Sequence, residues 1–382
     1  MLSLAVVAGA GSATVMPDGK IFQLYPGICK PTGGPHGAYS NCTSGGNLNL
    51  AVPADPSDPL LTNWTKLDIN PIVNNTQRDP SSAWRTPHGE WRIVTFNTTL
   101  YASTDFLSWY EVGQQPGFDV GECPSFLPLP RETPGSGPAP PTVAGRPTHV
   151  YKNSHAWSDF MQPGSYTDGA PGVVGKWKPW ETAFGNTSKC IDEGEMYATK
   201  DMPAPGGRRL YWGWTAYTPP AQGVMSLPRE LTWHPELQQL VHSVVPELSA
   251  LRELPALANV TQSLALSAGV PHSLDVSKSK KDGAGLQAEV DVTFALPLEH
   301  NATLGVMVME DASRKPGTTG MLFWVNYVPP PAHTQGQEKG QGQPYTLQAG
   351  STNLSISSQC VALSRTTDLT HIDFTHIDLT YT

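Results

Sequence analysis

Charge is scarce in this chain, and positive charge scarcest of all. Only 15% of its 382 residues are charged, and 24 basic side chains face 33 acidic ones. A net charge of -9 and a pI near 5.6 leave no basic face for a phosphate backbone, so no nucleic-acid partner is expected. No segment approaches the roughly 18 consecutive apolar residues of a membrane helix, so no membrane partner is expected either. Cysteine is sparse and odd in number, five in all, which excludes complete intramolecular pairing. Cys29 and Cys42 are close enough in sequence to bridge one loop; Cys123 is expected to be left over. The apolar Met1–Ala8 stretch lacks the basic start of a signal peptide.

Proline and glycine are abundant instead, 37 and 36 residues, with 11 tryptophans. Frequent turns and many aromatics predict short strands rather than long helices. Asn41, Asn63, Asn74, Asn97, Asn186, Asn259, Asn301 and Asn353 each head an Asn-x-Ser/Thr triplet, eight of 14 asparagines. Ordinary Ser and Thr frequencies would give about two. The expectation is a glycoprotein of the secretory pathway, and, with no signal peptide in evidence, a sequence lacking part of its N-terminus.

Residues 9 to about 245 read as strand, turn, strand. Lys20–Tyr25 follows an Asp-Gly turn, and Ala83–Arg85 and Trp91–Phe96 flank a Pro-His-Gly turn as a hairpin. Glu132–Pro147 reads as a mobile Pro/Gly-rich loop near a pocket mouth. Pro246–Leu254 has weak helical spacing and reads as a connector. Beyond about 260, Leu286 to Leu296 alternates apolar with polar residues, the pattern of a half-buried antiparallel strand. Two further strands follow, at 304–308 and 321–325, then a disordered loop at 329–344. The repeat in Thr370–Leu379 reads as a simple-sequence tail, and no metal or cofactor is expected. The expected organisation is a propeller over 1–250, a truncated sandwich over 251–367 and a low-complexity tail over 368–382.

Two segments carry chemistry. Gln77-Arg78-Asp79-Pro80-Ser81-Ser82-Ala83-Trp84 and Gly121-Glu122-Cys123-Pro124-Ser125-Phe126 each set a carboxylate beside a proline-stiffened turn. Two carboxylates on separate rigid turns suit glycoside hydrolysis. They lie 43 residues apart, about one four-stranded propeller blade, so inner strands of successive blades would bring them into one pocket.

These segments, with Gly11-Ser12-Ala13-Thr14, Pro17-Asp18-Gly19, Ala51–Leu61, Glu195–Lys200, Arg208–Trp214 and Leu227–Leu231, all in order, resemble glycoside hydrolase family 32, the invertases and fructan-active enzymes. The resemblance implies an all-β fold, a five-bladed β-propeller, here with an incomplete first blade, followed by a partial β-sandwich. It implies that Asp79 stabilises the transition state, that Arg78 orients the same sugar, and that Glu122 is the acid/base, protonated at the working pH through carboxylate crowding. Trp84 is expected to stack on sugar. The substrate would be sucrose or a fructan, and Pro124 matches cell-wall rather than vacuolar members. The family's Trp-Met-Asn-Asp-Pro-Asn-Gly segment, which carries the nucleophile, is absent from this sequence. Gly9-Ala10 and Gly121 replace the family's aromatic residues, and Asp168 is displaced within Gly164-Ser165-Tyr166-Thr167-Asp168. Three readings follow: a retaining β-fructofuranosidase, a non-catalytic sugar-binding propeller, or a fructosyltransferase. Oligomeric state stays open.

Overall fold

The computed structural model describes residues 10–29, 45–76, 78–137, 145–182, 185–186, 189–192, 196–215, 223–235, 238–252, 264–268, 270, 272, 289–295, 300–308, 321–328, 345–353, 356–357, 362–366 and 371–378. The chain divides into two compact units, Met1–His242 and Ser243–Thr382.

Among the described residues, the first unit forms a ring of four antiparallel sheets. Sheet I contains β1 (Ser12–Val15), β2 (Ile21–Cys29), β3 (Gly45–Pro53), β4 (Trp64–Lys66) and β5 (Val73–Thr76). Sheet II contains β6 (Trp84–Arg85), β7 (Trp91–Val94), β8 (Thr99–Ser103) and β9 (Tyr110–Gln114). Sheet III contains β10 (Glu122–Pro128), β11 (His149–His155), β12 (Ser158–Thr167) and β13 (Lys176–Pro179). A short hairpin, β14 (Glu181–Thr182) and β15 (Gly185–Asn186), comes next, and β16 (Lys189–Cys190) returns to pair with β12. Sheet IV contains β17 (Met196–Ala204), β18 (Arg208–Thr215), β19 (Val224–Met225), β20 (Arg229–His234) and β21 (Gln239–Val244).

The stacking follows from the two-residue period of a strand. Each inner sheet is buried on both faces, so neighbouring residues enter different cores. On β7, Trp91 and Ile93 join Leu24, Leu48 and Leu50 of sheet I, whereas Val94 joins Phe126 and Tyr151 of sheet III. On β10, Phe126 faces sheet II while Leu127 packs with Met196, Tyr211 and Leu231 of sheet IV. β7 is accordingly buried along its whole length and β10 along most of it. β1 lies beside β17, which closes the ring. Polar contacts also cross it: the Ser12 hydroxyl donates to the Ser81 carbonyl at 2.7 Å, and that of Ser82 to the Asp201 carbonyl at 3.1 Å.

In the second unit, a 3-10 turn over Pro246–Leu251 stands where the connector was expected. β22 (Glu289–Ala295) heads one sheet. β23 (Ala302–Val308), β24 (Met321–Val328), β25 (Tyr345–Asn353), β26 (Ile356–Ser357) and β27 (Ala362–Thr366) make a second, antiparallel one. β28 (His371–Asp378) pairs antiparallel with β22.

β28 falls inside the repeat read as a tail, and its backbone groups find ladder partners on β22. One expectation needs correction. The start of the supposed mobile loop is fixed: the Thr133 N–H donates to the Trp233 carbonyl at 2.8 Å, and Arg146 pairs with Glu132 at 2.8 Å. It also begins at the far end of β10 from Glu122, about 20 Å along a seven-residue strand, and not at the pocket mouth. Residues 138–144 and 329–344 lie outside the described residues.

Candidate active site

Three backbone irregularities build the site. Asp79 sits at φ 63 on the segment leading into β6. Cys123 has φ 48, where β10 bulges against β11 between Glu122 and Ser125. Ala198 has φ 55, where β17 bulges against β18 between Tyr197 and Lys200. Left-handed conformations cost energy in residues other than glycine, and they cluster where a fold must aim particular side chains. Here each irregularity lies within one residue of a polar group at the site.

The Arg78 guanidinium joins the two carboxylates. Its Nη2 donates to Glu122 Oε1, and its Nε lies 3.5 Å from Asp79 Oδ2. Its Cζ stands 4.4 Å from the centroid of Phe96, so its other face rests on an aromatic ring. The second Glu122 oxygen, Oε2, accepts from the Tyr197 hydroxyl. Glu122 thus lies between Arg78 and Tyr197, one on each oxygen. Asp79 is deeper, 3% exposed against 34% for the Glu122 side chain. Its Oδ2 accepts the Cys123 N–H at 3.2 Å.

Beneath the carboxylates lie two lysines. Lys200 Nζ donates to the Pro80 and Pro124 carbonyls at 3.0 Å each and reaches the Asp79 carbonyl at 3.4 Å, tying both carboxylate turns to β17. Burial lowers its pKa to about 8. Lys152 and Asp159 form a fully buried pair at 2.9 Å. Lys152 donates to the Cys123 carbonyl at 3.1 Å, to Ser154 Oγ at 2.7 Å and to the Thr199 carbonyl at 2.9 Å. Asp159 accepts the N–H groups of Ala198 at 3.1 Å and Thr199 at 2.6 Å. This pair therefore pins both bulges.

The electrostatics separate the carboxylates. Burial raises the Asp79 pKa, only partly offset by the Cys123 N–H and by the charges of Lys200 and Arg78. Burial also pushes Glu122 up, but hydrogen bonds from Tyr197 and Arg78 and the charge of Arg78 outweigh it, so its net shift is downward. This corrects the expectation that crowding keeps Glu122 protonated: one carboxylate is desolvated and the other held ionised. The Cys123 thiol is free, buried and raised to about 11, while Cys190 is disulfide-bonded. Cys29 and Cys42, close enough in sequence to bridge one loop, lie outside the described side chains.

Arg78, Asp79 and Glu122 are brought together. Trp84 is half-buried, its ring centroid 4.8 Å from that of Phe126 and its N–H donating to Asp168 at 3.3 Å. Tyr197 and Lys200 were missed as site residues, although both stand in the Tyr197-Ala198-Thr199-Lys200 segment that carried part of the resemblance. Of the candidate glycosylation sites, Asn63, Asn74 and Asn301 are exposed and Asn97 is half-buried; the side chains of Asn41, Asn186, Asn259 and Asn353 lie outside the described set.

Comparison with known proteins gives a consistent neighbourhood. Residues 6–243 match the N-terminal domain of glycosyl hydrolases family 32. An insoluble beta-fructofuranosidase isoenzyme from Arabidopsis thaliana is 29% identical over 325 residues, covering 76% of this chain and 54% of that protein. One from Daucus carota is 29% identical over 317 residues, covering 75% of this chain and 50% of that protein. The chain thus spans about half the length of these relatives. Among solved structures, fructan 1-exohydrolase IIa from Cichorium intybus superposes with a TM-score of 0.61 at 20% identity, covering 94% of this chain and 77% of that one. At that identity the likeness shows the fold.

Proposed function

Because this chain belongs to glycosyl hydrolases family 32, we propose that Arg78, Asp79 and Glu122 form the sugar-binding and acid/base part of a retaining β-fructofuranosidase site for sucrose or fructans. The observation that carries the reading is the single guanidinium shared by two carboxylates, Asp79 itself left-handed and Glu122 next to left-handed Cys123. Asp79 would accept fructose hydroxyls and balance positive charge developing on the ring. Glu122 would protonate the leaving oxygen and later take a proton from water. A sugar that draws Arg78 onto its own hydroxyls removes one of the two hydrogen bonds holding Glu122 ionised, which raises Glu122 toward the acid form its role needs. The four sheets are read as four of the five blades the family resemblance implies.

The reaction also needs a nucleophile, and the segment that carries it in the family is not in this sequence. Losing a nucleophile costs several orders of magnitude in rate. The polypeptide of this sequence is therefore expected to bind sucrose, fructose or inulin in calorimetry while releasing negligible glucose from sucrose. Glucose release matching an intact relative, and abolished by Glu122→Gln, would refute that expectation. Absence of any sugar binding would sink the site assignment. Binding without turnover is also what a sugar-binding propeller would show, the second reading that the missing motif favours; a fructosyltransferase would instead give longer fructans from sucrose. Asn63, Asn74 and Asn301 support a secretory route; a fall in mass on enzymatic deglycosylation of protein from secreting cells tests it.

A further inference from the structure

The most exposed tryptophan among the described residues stands at a hairpin tip beside this site. β11 and β12 are joined by Ala156 and Trp157 alone, since His155 pairs with Ser158. Both tip residues have positive φ, 49 and 62. A two-residue connection of this hand favours Asn-Gly, and a tryptophan there is strained. Nothing in the core repays the strain, because Trp157 is 59% exposed.

Its neighbours give the indole a direction. The Trp157 ring lies 5.5 Å from that of Tyr197 and 6.2 Å from that of Trp214. Tyr197 and Trp214 are register partners on β17 and β18. Gly223 makes room for this arrangement: a Cβ there would fall 2.0 Å from Trp214 Nε1. Tyr197 is the residue that donates to Glu122 Oε2, whereas Arg78, with Asp79 beside it, occupies Oε1. A row of aromatic rings therefore runs from solvent to the acid/base carboxylate, reaching it on the oxygen that Arg78 does not use.

We infer that Trp157, with Tyr197 and Trp214, is a stacking platform for the sugar units on the leaving-group side of the scissile bond. This rests on the reading of Arg78, Asp79 and Glu122 as the fructosyl site. An acid that protonates a leaving oxygen stands between the sugar that is kept and the one that departs, so a surface on its far side meets the departing part. Indole faces pack against the C–H face of a sugar ring as apolar surface and keep a rigid shape while doing so. The platform adds affinity for oligosaccharides and none for fructose alone.

The test compares fructose with 1-kestose, a trisaccharide, in calorimetry on the whole polypeptide. Trp157→Gly suits the tip's positive φ, so its thermal midpoint should equal or exceed that of the original. It should weaken 1-kestose binding about three- to tenfold and leave fructose binding unchanged. Trp157→Phe should keep most of the 1-kestose affinity. Equal 1-kestose affinity in Trp157→Gly and the original, with fructose still bound, overturns the platform and leaves the fructosyl site standing. A parallel loss for both sugars also overturns it. Failure of the original chain to bind either sugar overturns the fructosyl site and the platform with it.

Discussion

Breaking the Lys152–Asp159 pair is the perturbation with the largest expected effect outside the carboxylates themselves. Both side chains are fully buried, 2.9 Å apart. Lys152→Met leaves Asp159 as an uncompensated buried charge, a change that costs about 3–5 kcal/mol. It also strips a donor from the Cys123 and Thr199 carbonyls. In a unit the size of residues 1–242, that corresponds to a fall in midpoint on the order of 10 °C. Thermal and urea denaturation measure it, with Arg146→Ala as control. The Arg146–Glu132 pair is half exposed, 52% and 51%, and its loss should cost about half a kcal/mol. The double variant Lys152→Met with Asp159→Leu removes the lone charge, yet the Ala198 and Thr199 N–H groups still lose their acceptor. It should recover part of the loss and no more. A Lys152→Met midpoint indistinguishable from that of Arg146→Ala would show that the bulges hold themselves, and would refute the clamp.

Two further tests address the carboxylates. Tyr197→Phe removes a hydrogen bond that favours ionised Glu122, so the Glu122 pKa should rise in a carbon-13 titration; an unchanged or lower value contradicts the contact. Asp79 has a folded-state pKa above its unfolded one, so the folded protein binds that proton more tightly and loses stability as pH climbs from the ordinary carboxylate range through the raised value. Asp79→Asn should remove that loss, gaining midpoint relative to the original at neutral pH and least at acid pH. An Asn variant less stable at neutral pH would show that the charge of Asp79 is net favourable.

What could be read along the chain was whatever depends on short-range pattern. Alternation sends Trp91 and Ile93 into one core and Val94 into the next, and adjacent Phe126 and Leu127 divide the same way. That much announces stacked sheets, because consecutive apolar residues on a strand need a core on each face. The 43-residue spacing of Asp79 and Glu122, about one blade, put Asp79 just before the first strand of sheet II and Glu122 at the start of the first strand of sheet III. The chain order could not disclose which other groups reach them. Tyr197 lies 75 residues from Glu122, and Lys200 121 from Asp79; closure of the ring brings them in.

Nor does sequence reveal where the backbone turns left-handed at residues that are not glycine. Asp79, Cys123 and Ala198 hold such conformations because Lys200, Lys152 and Asp159 tie down the carbonyls and N–H groups around them. The family resemblance implied that crowded carboxylates would raise Glu122. The tertiary structure decided otherwise, since a pKa depends on which donors stand within hydrogen-bond reach, and here Arg78 and Tyr197 take Glu122 while Asp79 is left to burial. The sequence by itself determined the strands, the two-faced cores and the identity of the paired carboxylates. The fold alone determined the opposite directions of their pKa shifts, the lysines beneath them and the tryptophan beside them, because those depend on distances between blades that no local pattern encodes.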